Sequence, residues 1–217
     1  MDKNVLKIAH RGYSAKYKDN TMESFQKAYE NNFDMIEMDI QLCKNNTIII
    51  FHDTYYDDKY IRDLTLDEIK SKDKDIMTLQ YFFENFDYKK IKIYLDLKGS
   101  NNLVYYLVKF LVKNDIDICK IYFGSFNIKH LDYLYNVNPN FNLGVITYNN
   151  FTHRNLNYLI KKYNLAFVCV DWSVLDRETI SYLHKLNTRI FACTANAKNI
   201  HFIRRYNIDG IVSDIIL

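Results

Sequence analysis

The chain lacks any Cys-x-x-Cys pair. Its four cysteines, Cys43, Cys119, Cys169 and Cys193, stand too far apart for that metal or redox unit. Cys119, Cys169 and Cys193 fall in or beside apolar runs, where cysteine acts as a small buried hydrophobe. Four free thiols and a reducing, cytoplasmic compartment are therefore expected. Long apolar runs are also missing: no stretch approaches the ~18 residues a membrane span requires, so no integral membrane segment is expected. Met1-Asp2-Lys3-Asn4 runs straight into a strand-like segment, and no signal peptide is expected. Nor is one sign of charge in excess. The 29 basic and 26 acidic side chains leave a formal net charge of +3, which argues against a nucleic-acid partner, because such proteins concentrate a basic face. That balance leaves room for a local basic pocket that receives a small anion. The 19 Tyr and 14 Phe are read as core and surface filler rather than as a binding platform.

What the chain has is alternation. Short apolar runs rich in β-branched residues alternate with longer amphipathic stretches, the mark of repeated βα units and a parallel sheet. Strands are predicted at Leu6–His10, Met35–Ile40, Ile91–Leu97, Ile118–Gly124, Asn142–Thr147, Ala166–Asp171, Arg189–Cys193 and Gly210–Ser213. Helices are predicted near Thr21–Asn31, Leu66–Phe86 (broken around Asp73–Ile76), Leu103–Lys113, Ile128–Asn136, Thr152–Tyr163, Asp176–Lys185 and Ala197–Tyr206. Eight strands with interleaved helices predict an α/β fold, a closed (β/α)8 barrel in one domain over 1–217. At 217 residues it is compact, since such barrels typically take about 250. After the last strand only Asp214–Leu217 remain, so the final helix is expected to be missing or vestigial. One further strand, Ile48–His52, follows too soon for a helical crossover and should fold back as a hairpin on Asp39–Cys43. A two-residue Asn45-Asn46 loop would set Leu42 opposite Ile49 and Asp39 opposite His52.

Candidate functional residues lie at the C-terminal ends of the predicted strands, where barrel enzymes place their chemistry. His10-Arg11-Gly12 closes the first strand: a titratable imidazole, a guanidinium that can grip phosphate oxygens, and a glycine that lets backbone approach a ligand. In Met35-Ile36-Glu37-Met38-Asp39-Ile40 the two acids share one face of the strand and the apolar residues the other. Two carboxylates facing the barrel interior are costly unless they hold a metal cation, for which hard oxygen ligands suit Mg²⁺, Ca²⁺ or Mn²⁺, or are simply salt-bridged to Lys or Arg. His52-Asp53 ends the hairpin. Asp96 and Lys98 again share a face, as a third metal ligand and a point charge for a phosphate oxygen, or as a plain internal ion pair. Later residues, Asp171-Trp172, Thr194-Ala195-Asn196 and Ser213-Asp214, can line a pocket or simply cap the following helices.

In order and nearly end to end, these motifs resemble the glycerophosphodiester phosphodiesterase family of the phospholipase C-like TIM-barrel superfamily. His10-Arg11-Gly12, Asp19-Asn20-Thr21, Glu37-Met38-Asp39, His52-Asp53, Asp96-Leu97-Lys98, Ser125-Phe126, Thr194-Ala195-Asn196 and Ile208-Asp209-Gly210-Ile211-Val212-Ser213-Asp214 carry the resemblance. It implies catalytic His10 and His52, metal ligands Glu37, Asp39 and Asp96, phosphate contacts from Arg11 and Lys98, and a small-molecule substrate cleaved to glycerol 3-phosphate and an alcohol. Rivals are a lysophospholipase D- or sphingomyelinase D-type activity on lipids, which predicts an apolar rim, and a non-catalytic barrel binding a phosphorylated metabolite. Four departures stand out: Asp96 and Asp19 each replace a usual Glu, an Arg is absent after His52-Asp53, and Cys193 holds a position often occupied by Trp.

Overall fold

The computed structural model describes residues 5–149 and 152–217; the leaderless start expected at Met1–Asn4 lies outside them. Eight strands pair in chain order, all parallel: β1 (Leu6–Ala9), β2 (Met35–Leu42), β3 (Lys92–Leu97), β4 (Ile121–Ser125), β5 (Asn142–Thr147), β6 (Phe167–Asp171), β7 (Arg189–Ala195) and β8 (Gly210–Ser213). β8 returns to β1 with Ile8 opposite Val212, and β1 also pairs with β2, so the sheet closes into the expected barrel. The two-residue period of a strand divides the apolar residues into two cores. Ile36, Met38 and Ile40 of β2 point outward into the layer shared with the helices. Ile8, Met35, Tyr94, Phe167, Cys169 and Phe191 fill the barrel itself. Phe167 stacks on Phe191 with ring centroids 4.8 Å apart and meets Tyr94 edge-on at 5.2 Å. These rings form an aromatic floor inside the barrel.

The helical layer follows the amphipathic pattern with shifted ends. Helices run over Met22–Glu30, Leu66–Lys70, Leu79–Asn85, Leu103–Lys113, Ile128–Val137, His153–Tyr163, Arg177–Lys185 and Ile200–Ile203. Thr21 and Thr65 start theirs with reciprocal capping boxes. Asp214–Leu217, beyond β8, carry no helix. The helix predicted over Ala197–Tyr206 shrinks to Ile200–Ile203 because asparagines divert its first turn. The Asn196 side chain accepts from Lys198 N, and Asn199 Oδ1 accepts from Asn196 N at 2.8 Å. Likewise Ile118–Lys120 forms a 3₁₀ turn, with Asp117 accepting from Cys119 N, so β4 begins only at Ile121. Among the described residues no helix is long and apolar enough to cross a membrane.

The hairpin after β2 forms, but its register is one residue away from the prediction. Leu42 faces Ile48 and Ile40 faces Ile50. Cys43 N donates to Thr47 O, and Asn46 sits in the left-handed region at φ 61°, so the loop has three residues rather than two. Asp39 therefore faces Phe51, whose N–H donates to Asp39 O, and not His52. The strand Ile48–Ile50 is paired on its other edge by Met77–Thr78, over a small core of Cys43, Ile49, Ile61, Leu64, Ile69 and Ile76. A second hairpin, Tyr55–Tyr56 with Lys59–Tyr60, was not predicted; Asp57 turns it at φ 54°.

Gly144 lies against the aromatic floor, where an added Cβ would meet the Phe167 ring at 2.2 Å. Gly144→Ala is expected to destabilise the protein by about 1–3 kcal/mol through overpacking. The measurement is the urea midpoint, which should fall with an unchanged slope; an unaltered midpoint would mean that the ring has room to shift.

Candidate active site

At the open end of the barrel a solvent-connected cavity of about 480 Å³ is lined by His10, Arg11, Glu37, Asp39, His52, Asp96 and Lys98, among others. These seven are the residues to which the family resemblance assigned catalysis, metal binding and phosphate contact. β2 delivers Glu37 and Asp39 from its inward face, and β3 sets Asp96 in register beside Asp39. Oxygens of the three carboxylates lie within 4.8 Å of one another, and all three residues are buried. The shorter Asp96 therefore still reaches the cluster. Lys98 Nζ bridges Asp96 at 2.5 Å and Asp39 at 3.3 Å, while Arg11 Nε stands 3.1 Å from Asp39. Asn20 adds an N–H to Asp39 at 2.9 Å and accepts from the Asp39 backbone.

Two cations do not saturate three buried acids. At Asp39 burial opposes ionisation, but Lys98, Arg11 and the Asn20 hydrogen bond hold the carboxyl below its usual range. Glu37 makes no ion-pair contact: burial first, and then the charges of Asp39 and Asp96, push it well above the usual range against the Arg11 backbone hydrogen bond and the more distant charge of Lys98. Burial also raises Asp96, to about 6, against the pull of Lys98. Asp96 Oδ1 is buried without a hydrogen-bond partner, and a buried unpartnered oxygen in an acidic cluster fits a hard divalent cation. The donor set, three carboxylates and no nitrogen or sulfur, suits such an ion.

The His10-Arg11-Gly12 turn builds one wall of the cavity. Arg11 is left-handed at φ 54°, and its N–H donates to Glu37 Oε2 at 2.8 Å. Gly12 follows at φ 83°, and a Cβ there would meet Ser24 Oγ at 2.4 Å, so the motif needs glycine for both conformation and space. The Arg11 guanidinium also pairs with Asp19, the shortened acid of the second motif. Both histidines are tied by one nitrogen. His10 Nδ1 lies 2.7 Å from Asp214, which also accepts from Ser14 Oγ. His52 Nδ1 lies 2.7 Å from Asp53. A carboxylate at Nδ1 selects the Nδ1–H tautomer and leaves Nε2 to accept a proton.

The late residues divide. Thr194 and Cys193 line the cavity. Asn196 and Ser213 are structural: the first makes the turn described above, and Ser213 Oγ donates to Ala195 O. Trp172 is not on the cavity wall and instead stacks on Phe202 at 6.3 Å. The sequence marked Asp214 as a pocket or cap residue and as the end of the closing motif, but gave no sign of its pairing with His10, from which 204 positions separate it. Phe126 and Tyr148, with centroids 4.8 Å apart and rings partly exposed, complete an apolar side of the cavity.

The chain is similar to several known proteins. The YhdW protein of Bacillus subtilis is 29% identical over 228 residues, covering 95% of this chain and 93% of its own. The crystal structure of a glycerophosphodiester phosphodiesterase from Thermotoga maritima superposes with a TM-score of 0.84 at 26% identity, over 100% of this chain and 97% of that one. An Oleispira antarctica phosphodiesterase, solved with the product sn-glycerol-3-phosphate, shares the fold with a TM-score of 0.86 at 21% identity, over 97% of this chain and 93% of that one. A model of the glycerophosphoryl diester phosphodiesterase family matches residues 10–217, and the chain belongs to that family.

Proposed function

We infer that this phosphodiesterase cleaves glycerophosphodiesters to glycerol 3-phosphate and an alcohol, with His10 and His52 exchanging protons beside a cation site made by Glu37, Asp39 and Asp96. The observation that carries the assignment of roles is the pair of imidazoles, each anchored at Nδ1 by a carboxylate and both lining the cavity that holds the acidic cluster. A divalent ion bound by those three acids, Mg²⁺, Ca²⁺ or Mn²⁺, would polarise the phosphoryl group and neutralise its charge. One imidazole takes at Nε2 the proton of the nucleophile, either water or the substrate's own glycerol hydroxyl, and in the second case water then opens the cyclic phosphate. The other, protonated, gives its Nε2 proton to the leaving alkoxide. Arg11 and Lys98, already placed on the cavity wall, compensate charge on the phosphoryl oxygens. Asp214 and Asp53 hold the rings in the tautomer this requires. The four unpaired cysteines support a reducing, cytoplasmic setting. The partly exposed Phe126–Tyr148 pair favours one further substrate, a lysophospholipid, whose acyl chain could pass over an apolar rim.

The test is release of glycerol 3-phosphate from glycerophosphocholine, with lysophosphatidylcholine in parallel, with each metal and with chelator. Release that survives chelation would overturn the cation site. His10→Ala and His52→Ala should each lower kcat by about 10²–10⁴ while the melting temperature stays within a few degrees; turnover retained by either variant would remove that histidine from the mechanism. Saturating metal should raise the melting temperature of the wild type, with a stabilisation of about 2.7 kcal/mol at a hundredfold excess over Kd. Because Glu37 is the acid without a cation, Glu37→Gln should melt higher than the wild type in chelator and lose most of the metal-induced rise. A Glu37→Gln protein that melts lower in chelator would show that repulsion among the acids does not govern this site.

A further inference from the structure

Gln41 continues the inward row of β2 two residues after Asp39, and it is 2% exposed. Its amide takes no part in the cluster of acids. Instead Nε2 donates to Phe51 O at 2.9 Å and to Asp53 O at 2.7 Å, the two carbonyls on either side of His52. Two carbonyl acceptors fix which end of the amide is nitrogen, since only the NH₂ has two protons to give.

The place of this contact in the hairpin gives it meaning. The ladder between β2 and Ile48–Ile50 ends with Phe51 N donating to Asp39 O. Beyond that rung the chain must leave strand geometry for His52 to line the cavity, because the observed register does not set His52 opposite Asp39. Leaving the ladder strands the carbonyls of Phe51 and Asp53 beside the buried Gln41 side chain, which itself needs acceptors. The Gln41 amide takes the place of the missing rungs, one proton for each carbonyl. It thereby fixes the backbone of His52 and also that of Asp53, whose carboxylate holds the His52 ring. Glutamate has the same shape but no proton to donate when ionised, and asparagine is a methylene shorter.

We propose that Gln41 is a positioning residue for this reaction, which clamps the Phe51–Asp53 backbone and so aims His52 at the cavity. The inference rests on the assignment of His52 as a proton-transfer group. A residue that acts only through the aim of His52 affects the barrier and not the capture of substrate, so it moves kcat and leaves KM and metal binding alone.

The experiment is a kinetic cycle of Gln41→Leu, His52→Ala and the double variant, with Gln41→Glu and Gln41→Asn as substitutes should the leucine protein not fold. Gln41→Leu should lower kcat by about 10²-fold, the cost of misplacing a catalytic group by roughly 1 Å. KM should stay within about twofold of the wild type, since ground-state binding is not altered. The metal-induced rise in melting temperature should persist. In the His52→Ala background the same substitution should add nothing, because both act on one group. Wild-type kcat in a folded Gln41 variant, beside an inactive His52→Ala, would overturn the proposal while leaving the role of His52 intact. A loss that multiplies in the double variant would also overturn it, showing that Gln41 acts by another route. A fully active His52→Ala would instead remove the reading of His52, and the proposal with it.

Discussion

The repulsion among Glu37, Asp39 and Asp96 is the constraint around which the rest of the site is arranged. Strand alternation forces Glu37 and Asp39 to one side of β2, and the parallel register brings Asp96 of β3 against them. Buried acids at such separations are tolerated only with counter-charges or shared protons. Lys98 and Arg11 supply part of the compensation, and the left-handed Arg11 turn adds a backbone N–H for Glu37. Gly12, Ser24 and Asn20 hold that turn in shape: Ser24 Oγ donates to Arg11 O, as does Asn20 N. Even so one oxygen of Asp96 remains without a partner. The aromatic floor denies water from below, so what remains of the imbalance has to be met from the open end.

How much of this could be read from residues alone depended on whether a signal was local. The inward placement of Glu37 with Asp39, and of Asp96 with Lys98, follows from a period of two and survived intact. The barrel followed from counting βα units, and the aromatic residues proved to be filler in the main, as Phe167 and Phe191 illustrate. The hairpin register did not survive, because Asn46 took the left-handed position and lengthened the loop by one residue. His52 reached the cavity nonetheless, since its strand stops at Ile50 and the chain turns there.

Features carried by contacts distant in sequence, or by uncharged groups, stayed hidden. Asp214 could not be assigned to His10 from spacing, for the two are brought together only by closure of β8 on β1. Gln41 bore no charge and so no mark that set it apart from the surrounding strand. The shortened helix Ile200–Ile203 was overread because apolar periodicity says nothing of asparagine side chains competing for backbone N–H groups. The Tyr55–Tyr60 hairpin was read only as the place of an absent arginine, when Asp57 was already a turn residue.

The aromatic floor has a consequence for how ligands arrive. Rings packed below the acids are poorly polarisable compared with water, so the field of the acidic cluster is little attenuated by solvent beneath it and spreads chiefly through the mouth of the barrel. The molecule carries a formal net charge of +3, yet in the funnel at that mouth three acids stand against the two cations Lys98 and Arg11. Association with metal should accordingly be faster than the overall charge suggests and should slow as salt screens the funnel, whereas the phosphodiester, itself an anion, gains from the same funnel only once a cation has reversed its sign.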